Sequence, residues 1–123
     1  MWLKPDRWCA GKFAALLVLI ACSGSILACA KPISVCPKRG DTSVRQIDIF
    51  DGKPEDQAYL APDDPETAPN TYTVGEIYNQ GRTVTVRCHY SNGQTYEAEM
   101  KQRMQICRYT EAGKKHSATL MCQ

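Results

Sequence analysis

Apolar residues are placed along this chain in two ways, first as one unbroken run and later in alternation with polar ones. Residues 13–21, Phe-Ala-Ala-Leu-Leu-Val-Leu-Ile-Ala, follow a segment carrying Lys4, Arg7 and Lys12. Nine residues of helix cover less than half of a bilayer core about 30 Å thick, so the run predicts an export signal over residues 1–30 rather than a permanent span. Residues 31–43, with Pro32, Pro37 and Gly40, predict an irregular leading segment. From there the period changes to two. Val44 to Phe50 reads as a strand with Val44, Gln46, Asp48 and Phe50 on one side and Arg45, Ile47 and Ile49 on the other. Asp51-Gly52-Lys53-Pro54 stops it, Glu55 to Leu60 predicts a short helical turn, and residues 61–70, with three prolines, predict a loop. Tyr72 to Tyr78, Arg82 to Tyr90 and Thr95 to Met100 then read as three strands, with Met104, Ile106 and Tyr109 continuing the pattern and Ala118, Leu120 and Cys122 forming a terminal strand.

Turn chemistry decides how those strands pair. A two-residue turn at Asn92-Gly93 would oppose Glu97 to Cys88 and Glu99 to Val86, placing two carboxylates on the apolar side. A three-residue loop, Ser91-Asn92-Gly93 with a left-handed Gly93, shifts the pairing by one residue and flips every side chain. It sets Cys88 against Tyr96, Val86 against Ala98 and Val84 against Met100 on the core face. His89 and Thr95, and Arg87 and Glu97, then pair on the solvent face. The same loop at Asn79-Gln80-Gly81 would oppose Val74 to Val86 and Tyr72 to Cys88, giving a three-stranded meander. The class that follows for residues 31–123 is a single mainly β domain, a small antiparallel sheet of meander or sandwich type with little helix.

Cysteine parity supports export. Ala28-Cys29-Ala30 offers a cleavage site before Lys31, while Leu19-Ile20-Ala21-Cys22 and Ile26-Leu27-Ala28-Cys29 both resemble the lipobox of bacterial lipoproteins, which makes Cys22 and Cys29 lipidation candidates. Cutting before Lys31, or lipidating Cys29, leaves Cys36, Cys88, Cys107 and Cys122, an even set that forms two disulfides in an oxidising compartment. Three connectivities are open, with Cys88, Cys107 and Cys122 expected on successive elements of one sheet. Their wide spacing, without a C-x₂-C pair, gives no metal site, and no cofactor is expected. The location expected is the periplasm, with or without a lipid anchor in the outer membrane.

Charge changes the picture through its distribution rather than its total. Residues 31–123 carry twelve Lys and Arg against twelve Asp and Glu, so no basic excess argues for nucleic-acid binding. Within that balance, Asp51, Glu55, Asp56, Asp63, Asp64 and Glu66 stand against Lys53 alone, whereas residues 82–116 are net basic. Either the acidic loop packs over the basic half of the chain, or it presents carboxylates to a basic partner protein, since such complementarity speeds association and enforces specificity. Neither a nucleophile elbow, a phosphate loop nor a zinc-protease motif occurs, and His89 beside Cys88 would face away from it on a strand. The chain is therefore expected to act by binding and not as an enzyme.

At Asp48-Ile49-Phe50-Asp51-Gly52-Lys53-Pro54, Ala58-Tyr59-Leu60-Ala61-Pro62-Asp63, Val86-Arg87-Cys88-His89-Tyr90 and Cys107-Arg108, together with Cys36-Pro37, the chain resembles a family of short exported proteobacterial proteins of unknown function. The resemblance implies export and a β-rich, disulfide-bonded fold, and carries no activity. Two functions are expected from the residues. One is an inhibitor or immunity-type protein that neutralises a toxic or cell-wall-degrading enzyme through the acidic loop. The other is a structural or assembly lipoprotein of the outer membrane.

Overall fold

The structure is a computed structural model and describes residues 31–123; the export signal with its cleavage sites and the lipidation candidates Cys22 and Cys29 lie outside the described residues. Its strands are β1 (Ile33–Ser34), β2 (Val44–Asp51), β3 (Thr71–Thr73), β4 (Val84–Tyr90), β5 (Thr95–Met100), β6 (Ile106–Thr110) and β7 (Thr119–Cys122), with a 3-10 turn at Pro54–Asp56 and one helix, α1 (Gly75–Asn79). They form two antiparallel sheets, β2-β4-β5 and β1-β7-β6-β3. One apolar core joins them, built from Ile49, Val84, Val86 and Cys88 of the first sheet and Cys107, Leu120 and Cys122 of the second, with Val74 and Ile77 between. The mainly β class read from the sequence is what the chain adopts.

The β4–β5 hairpin has the register expected from its loop. Val84 pairs with Met100, Val86 with Ala98, Arg87 with Glu97, Cys88 with Tyr96 and His89 with Thr95. Gly93 sits at φ +83°, a left-handed conformation that costs a residue with a Cβ about 1–2 kcal/mol. The amide of Gly93 donates to the carbonyl of Tyr90 at 3.0 Å, and the Asn92 side chain accepts from the Gln94 amide at 3.0 Å.

Other expectations are corrected. The strand expected over Tyr72–Tyr78 is β3 followed by α1, so the partner of β4 is β2, and Tyr72 lies opposite Cys107 instead of Cys88. A strand would have put Glu76 on the same face as Val74 and Tyr78. One helical turn instead buries Val74 and Ile77 three residues apart and leaves Glu76 exposed. Asn79-Gln80-Gly81 accordingly closes a helix, with the Gln80 amide bonded to the carbonyls of Glu76 and Ile77. Cys88 belongs to a different sheet from Cys107 and Cys122. The leading segment is not wholly irregular, because β1 pairs Ile33 with Cys122 and Ser34 with Met121. The helical turn expected over Glu55–Leu60 contracts to Pro54–Asp56, ended by a left-handed Gln57 at φ +55°. In β6 the fully buried position is Cys107, with Ile106 only half-buried.

A register shift between Val44 and Gln46 explains the mixed faces of β2. The additional residue reverses the alternation, so Val44 joins Ile47 and Ile49 on the core side while Phe50 stays on the outer face. Phe50 is nevertheless fully buried there, because the ring of Tyr59 lies 4.6 Å from it and the Arg87 guanidinium 5.2 Å. Backbone bonds from Asp51 to Ala58 (2.9 Å) and from Leu60 to Ile49 (2.8 Å) hold this covering segment along the free edge of β2.

The disulfides are Cys36–Cys88 and Cys107–Cys122. Cys107 and Cys122 are directly opposed in the β6–β7 register, with Cα atoms 4.1 Å apart, close to the spacing of a non-hydrogen-bonded antiparallel pair. Cys36–Cys88 ties the leading segment to the central strand of the other sheet.

Candidate functional site: an acidic groove

On the outer face of β2-β4-β5 the polar side chains meet in pairs. Asp48 Oδ2 lies 2.7 Å from His89 Nε2, Arg87 Nε donates to Glu97 Oε1 at 2.7 Å, and the Thr83 hydroxyl donates to Glu99 Oε1 at 3.0 Å. The period of two places Thr85 and Arg87 of β4 beside Glu97 and Glu99 of β5 on this face. Pro54 nucleates the 3-10 turn and stands Glu55 and Asp56 at the end of the sheet. Between that turn and the β4–β5 surface runs an open groove of about 1020 Å³, lined by Glu55, Asp56, Glu97 and Glu99, by Lys53 and Arg82, and by Thr83 and Thr85. Four carboxylates thus share a groove with two cations.

The six acids singled out in the sequence have different fates. Asp51 takes a two-pronged bond from Arg82, Nε to Oδ1 at 2.7 Å and Nη2 to Oδ2 at 2.8 Å. Asp63 accepts from the Thr73 amide (2.7 Å) and hydroxyl (2.6 Å), and Asp64 accepts from the amides of Glu66 (2.8 Å) and Thr67 (3.1 Å). Those three carboxylates shape the chain. Glu55, Asp56 and Glu66 are exposed and make no side-chain hydrogen bond or ion pair among the described residues. Glu55 and Asp56 reach the groove; Asp63, Asp64 and Glu66 do not line it. Asp51–Arg82 is the one ion pair, among the described residues, that joins the acidic loop to the basic half.

Glu97 and Glu99 are the site residues that sequence reasoning missed. The signal lies in the hairpin register, which sets Glu97 on the solvent face, but both acids fall within a stretch whose net charge is basic.

The Arg82 guanidinium, by hydrogen bonding, holds the Asp51 carboxyl below its ordinary value of 3.8, against a smaller opposing effect of burial. Asp64 is also lowered, by the hydroxyl and amide of Thr67 and the amide of Glu66. A carboxyl lowered in the folded state contributes stability above its unfolded value, lost as pH falls through the lowered one. Asp51→Asn is therefore expected to be less stable than the wild type near pH 6, by a margin that narrows as pH falls below 3.8 through the lowered value. Urea unfolding along that pH series checks this, and a gap that does not narrow in acid would refute it.

Residues 38–123 match the model of the family described as Type VI secretion system Tli immunity protein. The chain belongs to this family. No curated protein and no solved structure matches it. The match places the chain in a family of proteobacterial proteins, as the sequence resemblance implied, and adds a class that the resemblance did not carry. That class is immunity, the neutralisation of a toxic effector. The matched region includes β2 to β7 and every residue of the groove, together with Cys88, Cys107 and Cys122.

Proposed function

We propose that this chain is a periplasmic immunity protein that binds a type VI effector through the groove of Glu55, Asp56, Glu97 and Glu99 and blocks it by occupation, without catalysis of its own. The observation that carries the reading is the family match over residues 38–123, nearly the whole described domain. The groove supports the rest. Glu55 and Asp56 have no side-chain partner among the described residues, so a basic effector surface would gain their charge without breaking any bond made there. Both disulfides suit an oxidising compartment. All four cysteines of residues 31–123 are paired, which leaves no thiol among them to act as a nucleophile. A lipid on Cys22 or Cys29 would hold the domain at the outer membrane, and palmitate incorporation lost on substituting one of them tests that step.

The function is tested with protein purified, disulfides intact, from cells expressing the full chain, used as bait for the type VI effectors of the same genome. Capture of one effector, with its activity falling as the complex forms, is the expected result. Full activity of every such effector at saturating bait would overturn the reading.

A further inference from the structure

The two sheets end in four edge strands, and three of them are short or covered. On β2, the carbonyl of Val44 accepts from Ala118, that of Ile49 from Leu60, and the amide of Asp51 donates to Ala58. On β3, the carbonyl of Thr71 accepts from the Asp63 amide, and the Thr73 amide donates to the Asp63 side chain. β1 is only two residues long. β5 is different. It is six residues long, and among the described residues β4 is its one strand partner.

Antiparallel ladders alternate residues that bond across the pair with residues whose amide and carbonyl point away. The Tyr90 amide donates to the Gln94 carbonyl at 2.9 Å, which fixes the phase. Tyr96, Ala98 and Met100 therefore bond to β4, and Thr95, Glu97 and Glu99 turn their backbone groups outward. Among the described residues, the backbone bond that these outward groups make is from Lys101 to the Glu99 carbonyl, at 3.1 Å. The remaining outward groups form an open hydrogen-bonding edge, and exposed edges of this kind pair readily with another strand.

We propose that the effector adds an extended segment to the free edge of β5, carrying basic side chains beside Glu97 and Glu99 on the outer face and apolar ones beside Tyr96 and Ala98 on the inner face. This rests on the immunity reading above and names the contact through which it works. Charge selects the occupant. A second copy of this chain pairing β5 to β5 would bring the acids of both copies together across the ladder, where like charges destabilise. A strand with alternating lysine or arginine meets them favourably and extends the groove wall on the same face. Strand addition takes its affinity from main-chain bonds and its specificity from alternate side chains, and β5 offers both.

The test is amide hydrogen exchange on the protein purified from cells expressing the full chain, free and saturated with the effector captured in the binding experiment. In the free protein the amides of Thr95, Glu97 and Glu99 are expected to exchange faster than those of Tyr96 and Ala98; in the complex they should slow by about tenfold or more. Thr95→Pro removes one outward donor while keeping every carboxylate and every bond to β4. It should weaken effector binding about tenfold against a Thr95→Ala control. An effector that is bound and inhibited while exchange at all three amides stays fast would overturn the added strand and leave the immunity reading intact. Failure to bind or inhibit any effector would overturn both.

Discussion

Replacing Cys36 and Cys88 together by alanine is expected to lower the free energy of unfolding by about 4 kcal/mol, the larger effect of the two disulfides. The bond links residues 52 apart in sequence, and closing that long a loop removes much of the freedom of the unfolded chain. Cys107–Cys122 closes a loop of 15, for which the same reasoning gives about 3 kcal/mol. Position reinforces the difference. Cys88 is fully buried on the central strand of β2-β4-β5, so the Cys36 link fastens the leading segment against the sheet that carries the groove. Cys107 and Cys122 already face each other across a hydrogen-bonded ladder that persists without the sulfurs. A domain of 93 residues has a small core, and losing 4 kcal/mol takes a large part of its stability. Urea unfolding of the double variant against the wild type measures the effect. A difference under about 1 kcal/mol, or a larger loss from Cys107→Ala/Cys122→Ala, would show that Cys36–Cys88 does not hold the sheet in this way.

What could be read in advance follows from how far apart the determining residues lie. The β4–β5 register was legible because Ser91-Asn92-Gly93 and the flanking alternation settle it within the 17 residues from Val84 to Met100, and the wrong register buries two glutamates. The terminal strand was legible for a similar reason, with Leu120 and Cys122 as its inward positions. Residues 72–78 were not. A helix of five residues completes little more than one turn, too few to separate a period of 3.6 from a period of 2, and Tyr72, Val74 and Tyr78 satisfy the strand pattern locally. The β3–β6 ladder runs on only as far as the bond from the Val74 amide to the remote Gln105 carbonyl, and the chain turns helical from Gly75. The bulge in β2 was equally silent, since Val44 and Phe50 share a phase in sequence and lose it only when the strand pairs with β4. For the site, half of the groove was legible as an acidic segment after a Pro-Gly stop. Its other wall required knowing that Glu97 and Glu99 come to stand across from Glu55 and Asp56, some 40 residues earlier.

That geometry separates the groove from the rest of the acidic loop by experiment. Converting Glu55, Glu97 and Glu99 to glutamine and Asp56 to asparagine keeps side-chain shape and removes four charges from one surface. Rim charges act mainly through association rate, while charges desolvated in the contact act on both rates, so the combined loss in effector affinity is expected to be about 10²–10³-fold. The counterpart is Glu66→Gln. Glu66 belongs to the same loop and carries the same charge but lies outside the groove, so its loss should change affinity by less than about twofold. Asp63 and Asp64 are poor controls, because their carboxylates hold Thr73, Glu66 and Thr67 in place and their removal would alter the loop itself. Salt supplies an independent reading. Long-range attraction between the groove and a basic effector is screened over about 10 Å at 0.1 M salt, so the wild-type association rate should fall steeply as salt is raised, and that of the four-fold variant should barely move. Binding kinetics of the three proteins against the captured effector at low and high salt decide the matter. If Glu66→Gln weakens binding as much as the groove variant does, the acidic loop acts through its overall charge and the groove is not the contact. If only the groove variant loses both affinity and salt dependence, recognition lies where β5 and the Pro54–Asp56 turn converge.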